Sequence, residues 1–360
     1  MHIVYDNIVF SLQKSGGISV VWQELLSRMM DSLEFDFSFI EYDSNLANPF
    51  RNKMDLSKGR VIMKKSFDLL VSRYFNPIIK DQEPFIFHSS YFRTCSNKRA
   101  INVTTVHDFI YEYFRTGLPK YIHSWQKSRA IRHSDAIVCV SNNTKKDLLK
   151  FFPEIDESIV HVIYNGVSED YYVIENDEKP QLPFPIGSYL IFIGSRAHYK
   201  NFELVVRGVA KTNFNLLIVG SKLSEKEMEM VNSYLPNNKY REVGYLSNKD
   251  LNIAYNYAVA LAYPSSYEGF GIPIIEAQRA GCPVIAYNGS SITEVIGETP
   301  LLMNELSDET FLSKLEMLSN KDVVSKIVHD GLENSKRFSW DKMSSDYIYL
   351  YKTLFDKRNN

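Results

Sequence analysis

The sequence predicts an α/β protein made of two doubly wound parallel-sheet domains. Short β-branched or aromatic runs alternate with longer segments of helical period along most of the 360 residues, a pattern typical of parallel sheets. Residues 175–187 interrupt this alternation with charged residues and prolines and no apolar period, as expected of a linker between domains. An apolar content of 44% over this length is sufficient for two separate cores.

The first domain is predicted to span residues 1–174 and to contain one clear amphipathic helix. This helix covers about 18–31 and places Ile18, Val21 and Leu25 on one face with a 3.6-residue period, so that face should pack on the sheet. The runs that read as strands are 2–5, 85–88, 101–106, 136–140 and 159–164.

The second domain is predicted to span residues 188–337, followed by a C-terminal helix over 338–360. Helical patterns begin near 201, 224 and 248, and a short helix follows residue 271. The strands that alternate with them are 189–193, 214–219, 240–243, 259–263 and 283–287. Two consecutive doubly wound units result.

Composition excludes several functional classes. A net charge of -2 argues against a general nucleic-acid-binding protein. Three widely separated cysteines without metal-ligand spacing indicate reduced thiols in the cytoplasm. The first residues read as a strand rather than a signal segment, and no apolar run approaches the length needed to span a bilayer. We therefore expect a cytoplasmic protein whose membrane contact, if it has any, is peripheral on the inner face.

Residues 51–80 form a local basic segment, with eight basic residues against two acidic ones. Interleaved apolar residues such as Val61, Ile62 and Met63 would give a helix an apolar stripe, which predicts contact with an anionic membrane surface. A solvated basic face over a buried stripe is the alternative reading.

The most informative segment runs from Glu268 to Glu276, two glutamates eight positions apart with two glycines and a proline between them. Pro273 suits the first turn of a helix and Gly281 the position just after its end. Glu268 is therefore predicted on the loop entering a short helix, and Glu276 in the N-terminal part of that helix. Glycines before a helix N-terminus allow an anion such as a phosphate to approach the backbone. A glutamate near a helix start is also favourable for dipole reasons alone.

Other candidates follow predicted strands, because ligands in open α/β sheets bind beyond the carboxyl ends of strands. His107 and Asp108 follow the strand at 101–106. Arg196 and Lys200 follow the strand at 189–193. The planar guanidinium of arginine and the compact ammonium of lysine are suited to binding a diphosphate. The alternatives are a structural histidine and solvated surface charges.

Two further turns have the composition of a phosphate seat. Gly16 and Gly17 open the first helix, and Ser290 and Ser291 open a helix after the strand at 283–287. A plain tight turn explains the glycine pair equally well, and helix capping by Ser291 or Thr293 is compatible with phosphate binding at the second turn.

The string from Ala262 to Ala286, which contains both glutamates, closely resembles the donor-site signature of family 4 retaining glycosyltransferases. The resemblance is strong from about 189 to 297 and weaker, motif by motif, before that. It implies the GT-B fold, two Rossmann-like domains facing each other across a cleft. By this resemblance the N-terminal domain binds the acceptor, the C-terminal domain binds the nucleotide sugar, and the last helix returns to the N-terminal domain.

The resemblance also implies roles for the candidate residues. Glu276 binds the ribose hydroxyls, Glu268 contacts the sugar, and Arg196 with Lys200 holds the diphosphate. His107 lies beside the donor sugar near its reacting carbon, and Asp108 orients that imidazole or binds the acceptor. The remaining donor-binding residues are Gly16, Gly17, Gly269, Phe270, Gly271, Ser290 and Ser291.

The activity implied is that of a retaining, metal-independent hexosyltransferase, with mannose the favoured sugar. Its donor is GDP-mannose or a UDP-hexose, with no other cofactor, and its acceptor is a saccharide or a lipid-linked saccharide of cell-surface polysaccharide or lipopolysaccharide synthesis. The chain has no Asp-x-Asp, the motif by which many other sugar transferases hold a divalent metal on the donor phosphates, so protein cations are expected to stabilise the leaving group. A GT-B nucleotide-sugar epimerase, a sugar phosphorylase and a non-catalytic binding subunit are the alternatives.

Overall fold

The computed structural model of the chain describes residues 1–43, 47–64, 73–175 and 182–359. These residues form two units, Met1–Gly166 with Trp340–Asn360, and Val167–Ser339. Each unit is built on one parallel β-sheet with helices around it. The predicted class, α/β with two Rossmann-like domains, is confirmed.

The first unit has a seven-stranded sheet in the order β3-β2-β1-β4-β5-β6-β7. The order reverses between the neighbouring strands β1 and β4: β2 and β3 follow on one side of β1, and β5 to β7 follow on the other side of β4. The strands β1 to β7 are His2–Asp6, Asp36–Tyr42, Arg60–Lys64, Phe85–Ser89, Ala100–Val106, Ala136–Cys139 and Val160–Val162. Its described helices are α1 (Val9–Leu12), α2 (Gly17–Met29), α3 (Pro49–Asn52), α4 (Ile110–Phe114), α5 (Gly117–Arg132) and α6 (Asn142–Phe151).

The second unit has a six-stranded sheet in the order β10-β9-β8-β11-β12-β13, with its own reversal between β8 and β11. Buried aliphatic and aromatic side chains of β8, β9, β11 and the surrounding helices form its core. The strands β8 to β13 are Tyr189–Ile193, Asn215–Val219, Tyr240–Glu242, Ala260–Tyr263, Val284–Tyr287 and Leu302–Met303. The helices α7 to α13 are Phe202–Ala210, Glu225–Tyr234, Asn248–Asn256, Ile272–Arg279, Ile292–Ile296, Asp308–Met317 and Lys321–Ser335.

The last helix, α14 (Trp340–Asn359), packs in the first unit. Its Tyr351 hydroxyl hydrogen-bonds the His88 ring at 2.6 Å, and its Tyr347 hydroxyl hydrogen-bonds Thr105 at 2.8 Å. Burial lowers the pKa of His88 to about 3, so this ring is neutral in the core. Two tyrosine hydroxyls of the C-terminal helix thus attach it to one side chain of β4 and one of β5.

The chain enters the second unit earlier than the sequence predicts. The stretch 167–174, expected in the first domain, packs against α9 instead. The Asn252 side chain accepts a hydrogen bond from the Tyr172 N–H at 3.1 Å, and the Asn256 side chain accepts one from the Ile174 N–H at 2.8 Å. These hydrogen bonds join residues about 80 positions apart in the chain, so no local sequence pattern indicates them. Residues 176–181 of the predicted linker 175–187 lie outside the described residues.

The basic segment 51–80 is not a continuous helix. Residues 60–64 form β3, an edge strand paired with β2, so the helical reading of Val61, Ile62 and Met63 is wrong. Val61 and Met63 are exposed while Ile62 is half-buried, which is the two-residue alternation of a strand. Residues 65–72 of the segment lie outside the described residues.

No helix within the described ranges combines the length and the apolar content that crossing a bilayer requires.

Candidate functional site

The candidate donor site lies at the carboxyl edge of the second sheet, where the strand order reverses. The strands β8 and β11 are neighbours there, and the loops that follow them, residues 194–201 and 264–271, therefore leave the same edge side by side. Such a reversal opens a crevice in which α/β proteins bind ligands. The loop after β8 contains Arg196 and Lys200, and the loop after β11 contains Glu268.

Lys200 and Glu268 form a buried ion pair at this edge. The Lys200 ammonium donates a hydrogen bond to Glu268 Oε1, and only about a tenth of each side chain is exposed. The ammonium also lies 5.3 Å from the centre of the Tyr263 ring. Burial, followed by the negative charge of Glu268, raises the pKa of Tyr263 well above its usual value. The sequence assigned Lys200 to the donor diphosphate and Glu268 to the donor sugar. In the structure the two residues neutralise each other's charge across the two loops.

Arg196 is held within the second unit through two of its three guanidinium nitrogens. Its Nε donates to Glu227 Oε1 at 2.8 Å and its Nη2 donates to the Lys222 carbonyl at 2.8 Å. The side chain is 3% exposed, and Nη1 is buried without a hydrogen-bond partner among the described residues. An unpaired buried donor of this kind is costly unless a ligand or water satisfies it. The sequence expectation placed Arg196 beside Lys200 as a clamp, whereas each is paired with a different glutamate here.

A cavity of about 470 Å³ borders Arg196 on the side of α7 and α8. Glu227 and Arg207 also line it, whereas Lys200 and Glu268 do not. This cavity is therefore distinct from the Lys200–Glu268 pair.

The loop around Glu268 is held by two serines after β12. Ser290 Oγ accepts a hydrogen bond from the Glu268 N–H at 2.9 Å. Ser291 is fully buried, and its hydroxyl lies 2.9 Å from the carbonyls of both Glu268 and Phe270. The hydroxyls expected to contact a phosphate thus hold the glutamate loop in position, and the Ser291 side chain does not cap α11.

Gly271 is required by the backbone at the start of α10. Its φ of 107° lies in the region that favours glycine, and a Cβ there would come within 3.1 Å of Ile274 Cδ1. The helix begins at Ile272 with Pro273 in its first turn and is followed by Gly281 at φ 73°. The predicted start and end of this helix are confirmed.

Glu276 lies in α10 next to two tyrosine hydroxyls. Tyr255 Oη donates to Glu276 Oε2 at 3.3 Å, and the Tyr171 hydroxyl, which donates to the Asn248 side chain at 3.4 Å, lies near the same carboxylate. Burial raises the pKa of Glu276 to about 7, and the two tyrosine hydroxyls act in the opposite direction. The sequence gives no sign of either tyrosine, because they lie 105 and 21 positions from the glutamate.

In the first unit, His107 and Asp108 follow β5, as the sequence predicts. Burial and then the charge of Lys127 lower the pKa of His107 to about 4, so its imidazole is neutral at physiological pH. The Asp108 side chain accepts a hydrogen bond from the Ile110 N–H at 3.0 Å, which fixes the turn into α4.

Lys127, which lies next to this turn in the first unit, is a buried ionic residue that the sequence does not indicate. It is fully buried, and its ammonium donates to Glu112 Oε2 at 2.7 Å and to the Asp108 carbonyl at 2.8 Å. The same ammonium lies 4.5 Å from the centre of the Phe109 ring. Lys127 therefore joins α5 to the turn that follows His107.

Replacing Lys127 by Met should lower the free energy of unfolding by about 3–5 kcal/mol, because the Glu112 carboxylate would remain buried without its partner. The double variant Lys127→Met/Glu112→Gln should recover most of this loss. Urea denaturation measures both, with Lys146→Met on the exposed side of α6 as the control. A single variant as stable as the wild type would contradict the buried pair.

The glycine pair 16–17 opens α2 in the first unit. Gly16 has extended backbone at φ 164°, and Gly17 is the first residue of the helix. A Cβ on Gly17 would meet no atom within 4 Å, so glycine is not required there by packing. A Cβ on Gly16 would collide with Gln13 Oε1, the end of a flexible side chain, so the open space at this helix N-terminus lies on the Gly17 side.

The described residues contain no group of three or more histidine, cysteine, aspartate or glutamate side chains arranged to hold a metal ion.

Two protein-family models match the chain in succession. The model for Glycosyltransferase Family 4 matches residues 15–171, and the model for Glycosyl transferases group 1 matches residues 174–329. Among curated relatives, an uncharacterised glycosyltransferase of Methanocaldococcus jannaschii is 24% identical over 95% of both chains. The O-antigen chain mannosyltransferase B of Escherichia coli is 25% identical over 87% of this chain and 85% of its own.

Solved structures share the whole fold at low identity. The sucrose-phosphate synthase of Thermosynechococcus elongatus superimposes with a TM-score of 0.79 at 18% identity, covering 99% of this chain and 100% of that one. The Anabaena protein HepE, solved in complex with UDP and glucose, gives a TM-score of 0.73 at 13% identity over 98% of this chain and 100% of its own. At such identities the likeness concerns the fold.

Proposed function

Because this chain belongs to the family 4 glycosyltransferases and has the GT-B fold, we propose that it is a retaining hexosyltransferase that uses a nucleoside-diphosphate sugar. The observation that carries the proposal is the Lys200–Glu268 pair, with Arg196 and Glu276 in the same unit, at the strand-order reversal of the second sheet. This edge combines fixed cations with carboxylates that accept hydrogen bonds from hydroxyl groups. A sugar diphosphate presents the complementary anion and hydroxyls.

Mannose from GDP-mannose is the donor that we favour. Two of the relatives are O-antigen chain mannosyltransferases, at about a quarter identity. We infer from them a saccharide or lipid-linked saccharide acceptor in cell-surface polysaccharide or lipopolysaccharide synthesis. A UDP-hexose is the second candidate donor, because HepE, which has the same fold, was crystallised with UDP and glucose and with UDP-glucose.

The reaction would break the bond between the sugar C1 and the diphosphate oxygen and form a bond from C1 to an acceptor hydroxyl on the same face. Negative charge grows on the departing diphosphate as the bond breaks, so fixed cations near its oxygens stabilise the transition state. We assign this role to Lys200 and to Arg196, whose buried and unpaired Nη1 lacks a partner that a phosphate oxygen would supply. The acceptor proton would pass to the leaving diphosphate, which then departs as the nucleoside diphosphate.

The remaining residues would bind and orient the substrates. Glu268, held by Ser290 and Ser291, would exchange part of its bond with Lys200 for a sugar hydroxyl when donor binds. Glu276 would accept hydrogen bonds from the ribose hydroxyls. His107 would offer a neutral imidazole to the sugar, because its low pKa leaves it uncharged. Asp108, Gly16, Gly17, Gly269, Phe270 and Gly271 keep their proposed substrate-binding roles.

The test is a panel of nucleotide sugars, first by thermal shift and then by turnover. We expect GDP-mannose to raise the melting temperature and to release GDP in the presence of a saccharide acceptor, with the anomeric configuration of the sugar retained. Turnover should persist with a chelator, because protein cations rather than a metal would stabilise the leaving group. Conversion of donor into another nucleotide sugar without acceptor would indicate an epimerase, and sugar phosphate formed with inorganic phosphate would indicate a phosphorylase. Absence of binding by every nucleotide sugar would reject the proposal.

A further inference from the structure

Helix α5 (Gly117–Arg132) exposes several large apolar side chains. Its buried face contains Gln126, Lys127, Ala130 and Ile131, whereas the large apolar residues of its first half face outward. The exposed residues follow the spacing i, i+3, i+4, i+7, so they form one stripe along the helix. The exposed fractions along this stripe are 69% for Leu118, 71% for Tyr121, 36% for Ile122 and 53% for Trp125. An exposed stripe of this size usually marks a contact surface.

Basic residues surround the stripe. Residues 109–132 contain five basic side chains and one acidic side chain, and the buried Lys127 is paired with that acid, Glu112. Four basic side chains remain outside the core, Arg115, Lys120, Arg129 and Arg132, of which Arg132 is paired with Glu154. Arg129 lies 5.0 Å from the centre of the Trp125 ring. The stripe therefore combines exposed aromatic and aliphatic side chains with an excess of positive charge.

The same helix contacts the described end of the basic segment 51–80. Gln126 donates to the Arg73 carbonyl at 2.5 Å, and Arg129 donates to the Tyr74 carbonyl at 3.0 Å. The next residue, Phe75, is exposed. The backbone at residues 73–75 is thus held beside α5.

We propose that the stripe of α5 lies on an anionic lipid surface. Amphipathic helices with aromatic and leucine side chains next to basic ones insert at the boundary between headgroups and acyl chains, and each basic residue near an anionic leaflet adds to the attraction. Tryptophan and tyrosine are suited to that boundary because their rings are apolar and their edges are polar. A second copy of the chain fits this stripe less well, because it would bring the same excess of positive charge.

This inference corrects the location of the predicted membrane contact. The sequence placed it on 51–80 through an apolar stripe on a helix, whereas residues 60–64 are an edge strand. The outward-facing helix is α5. The inference is independent of the proposed reaction, because lipid binding is measured without donor.

The chain contains a built-in reporter for the experiment. Of its three tryptophans, Trp22 and Trp340 are 4% and 3% exposed, so a change of emission on lipid binding comes mainly from Trp125. Full-length protein is titrated with vesicles of phosphatidylcholine alone and of phosphatidylcholine mixed equally with phosphatidylglycerol. We expect a blue shift with the mixed vesicles that weakens with salt, and quenching by brominated acyl chains.

The decisive variant is Leu118→Glu/Tyr121→Glu, which places two carboxylates in the stripe without disturbing a buried contact. We expect its co-sedimentation with mixed vesicles to fall about tenfold or more. The matched control is Tyr234→Glu/Tyr245→Glu, which adds the same two carboxylates at exposed positions of the second unit and should sediment like the wild type. Trp125→Phe should still sediment but should lose the fluorescence response.

Three results would overturn the inference. The first is a wild-type chain that does not sediment with mixed vesicles. The second is equal sedimentation of the stripe variant and the control variant. The third is a blue shift that grows with protein concentration in the absence of lipid, together with a dimer mass by light scattering, which would assign the stripe to a second copy of the chain.

Discussion

Replacing Lys200 by Ala is expected to lower kcat by about 10²-fold or more, comparable to the loss of an oxyanion donor in other enzymes. In the proposed reaction this ammonium stabilises charge that appears only as the diphosphate departs. The loss should therefore appear in kcat more than in the donor affinity. The measurement is steady-state turnover with a donor that the wild type accepts, and Lys249→Ala at an exposed position of α9 is the control.

The ion pair with Glu268 provides a way to separate this catalytic effect from a structural one. Lys200→Ala leaves a buried carboxylate without its partner, so the melting temperature should also fall. The double variant Lys200→Ala/Glu268→Gln removes that carboxylate and should recover stability, but it should turn over about 10²-fold more slowly than Glu268→Gln alone. Equal turnover by the double variant and Glu268→Gln, or native turnover by Lys200→Ala, would show that Lys200 is structural.

Replacing Glu276 by Gln should weaken nucleotide binding and at the same time stabilise the folded chain at alkaline pH. Hydrogen bonds from hydroxyl groups to a charged acceptor contribute about 1.5–3 kcal/mol, so we expect an affinity loss of about 10–100-fold. Calorimetric titration with the donor's nucleoside diphosphate measures it. Glu229→Gln, at an exposed position of α8, is the control and should bind as the wild type does.

The stability change follows from the pKa of Glu276, which is raised to about 7 in the folded chain from an ordinary value near 4.5. The folded state therefore binds this proton more tightly than the unfolded state, and the stability present below pH 4.5 is lost as the pH rises towards 7. Gln does not titrate, so the variant should exceed the wild type by up to about 3 kcal/mol at pH 8 and should show little difference at pH 5. A constant difference across this range would contradict the raised pKa.

Much of the second unit could be predicted from the sequence because its signals are local. The strand Tyr189–Ile193 begins and ends where the apolar run does, and Pro273 and Gly281 mark the ends of α10. The ends of these strands and helices also predicted that Lys200 and Glu268 lie on loops. Local signals could not show that the two side chains bond to each other, since that depends on β8 and β11 being neighbours.

The first unit was harder to predict at its edge. The sequence did not predict the strands β2 and β3. Five residues are too few to distinguish the two-residue period of a strand from the 3.6-residue period of a helix, so the residues of β3 fitted both. The buried Lys127 was missed for a different reason. Lysine is ordinarily solvated, and only the fold brings Glu112 and the Asp108 carbonyl to its ammonium.

The second unit begins at Val167 and ends at Ser339, and these two ends determine where domains of related chains could be exchanged. Val167 pairs with Ser339 in a parallel bridge, so the second unit begins and ends at one place. A segment with adjacent ends behaves as an insertion, which a host domain accepts without stretching its own chain. Exchange of donor specificity between relatives would thus need two junctions, before Val167 and after Ser339, rather than a cut in the proline-rich stretch at 175–187. A chimaera joined there would separate Tyr171 from Glu276, whose carboxylate its hydroxyl lies near.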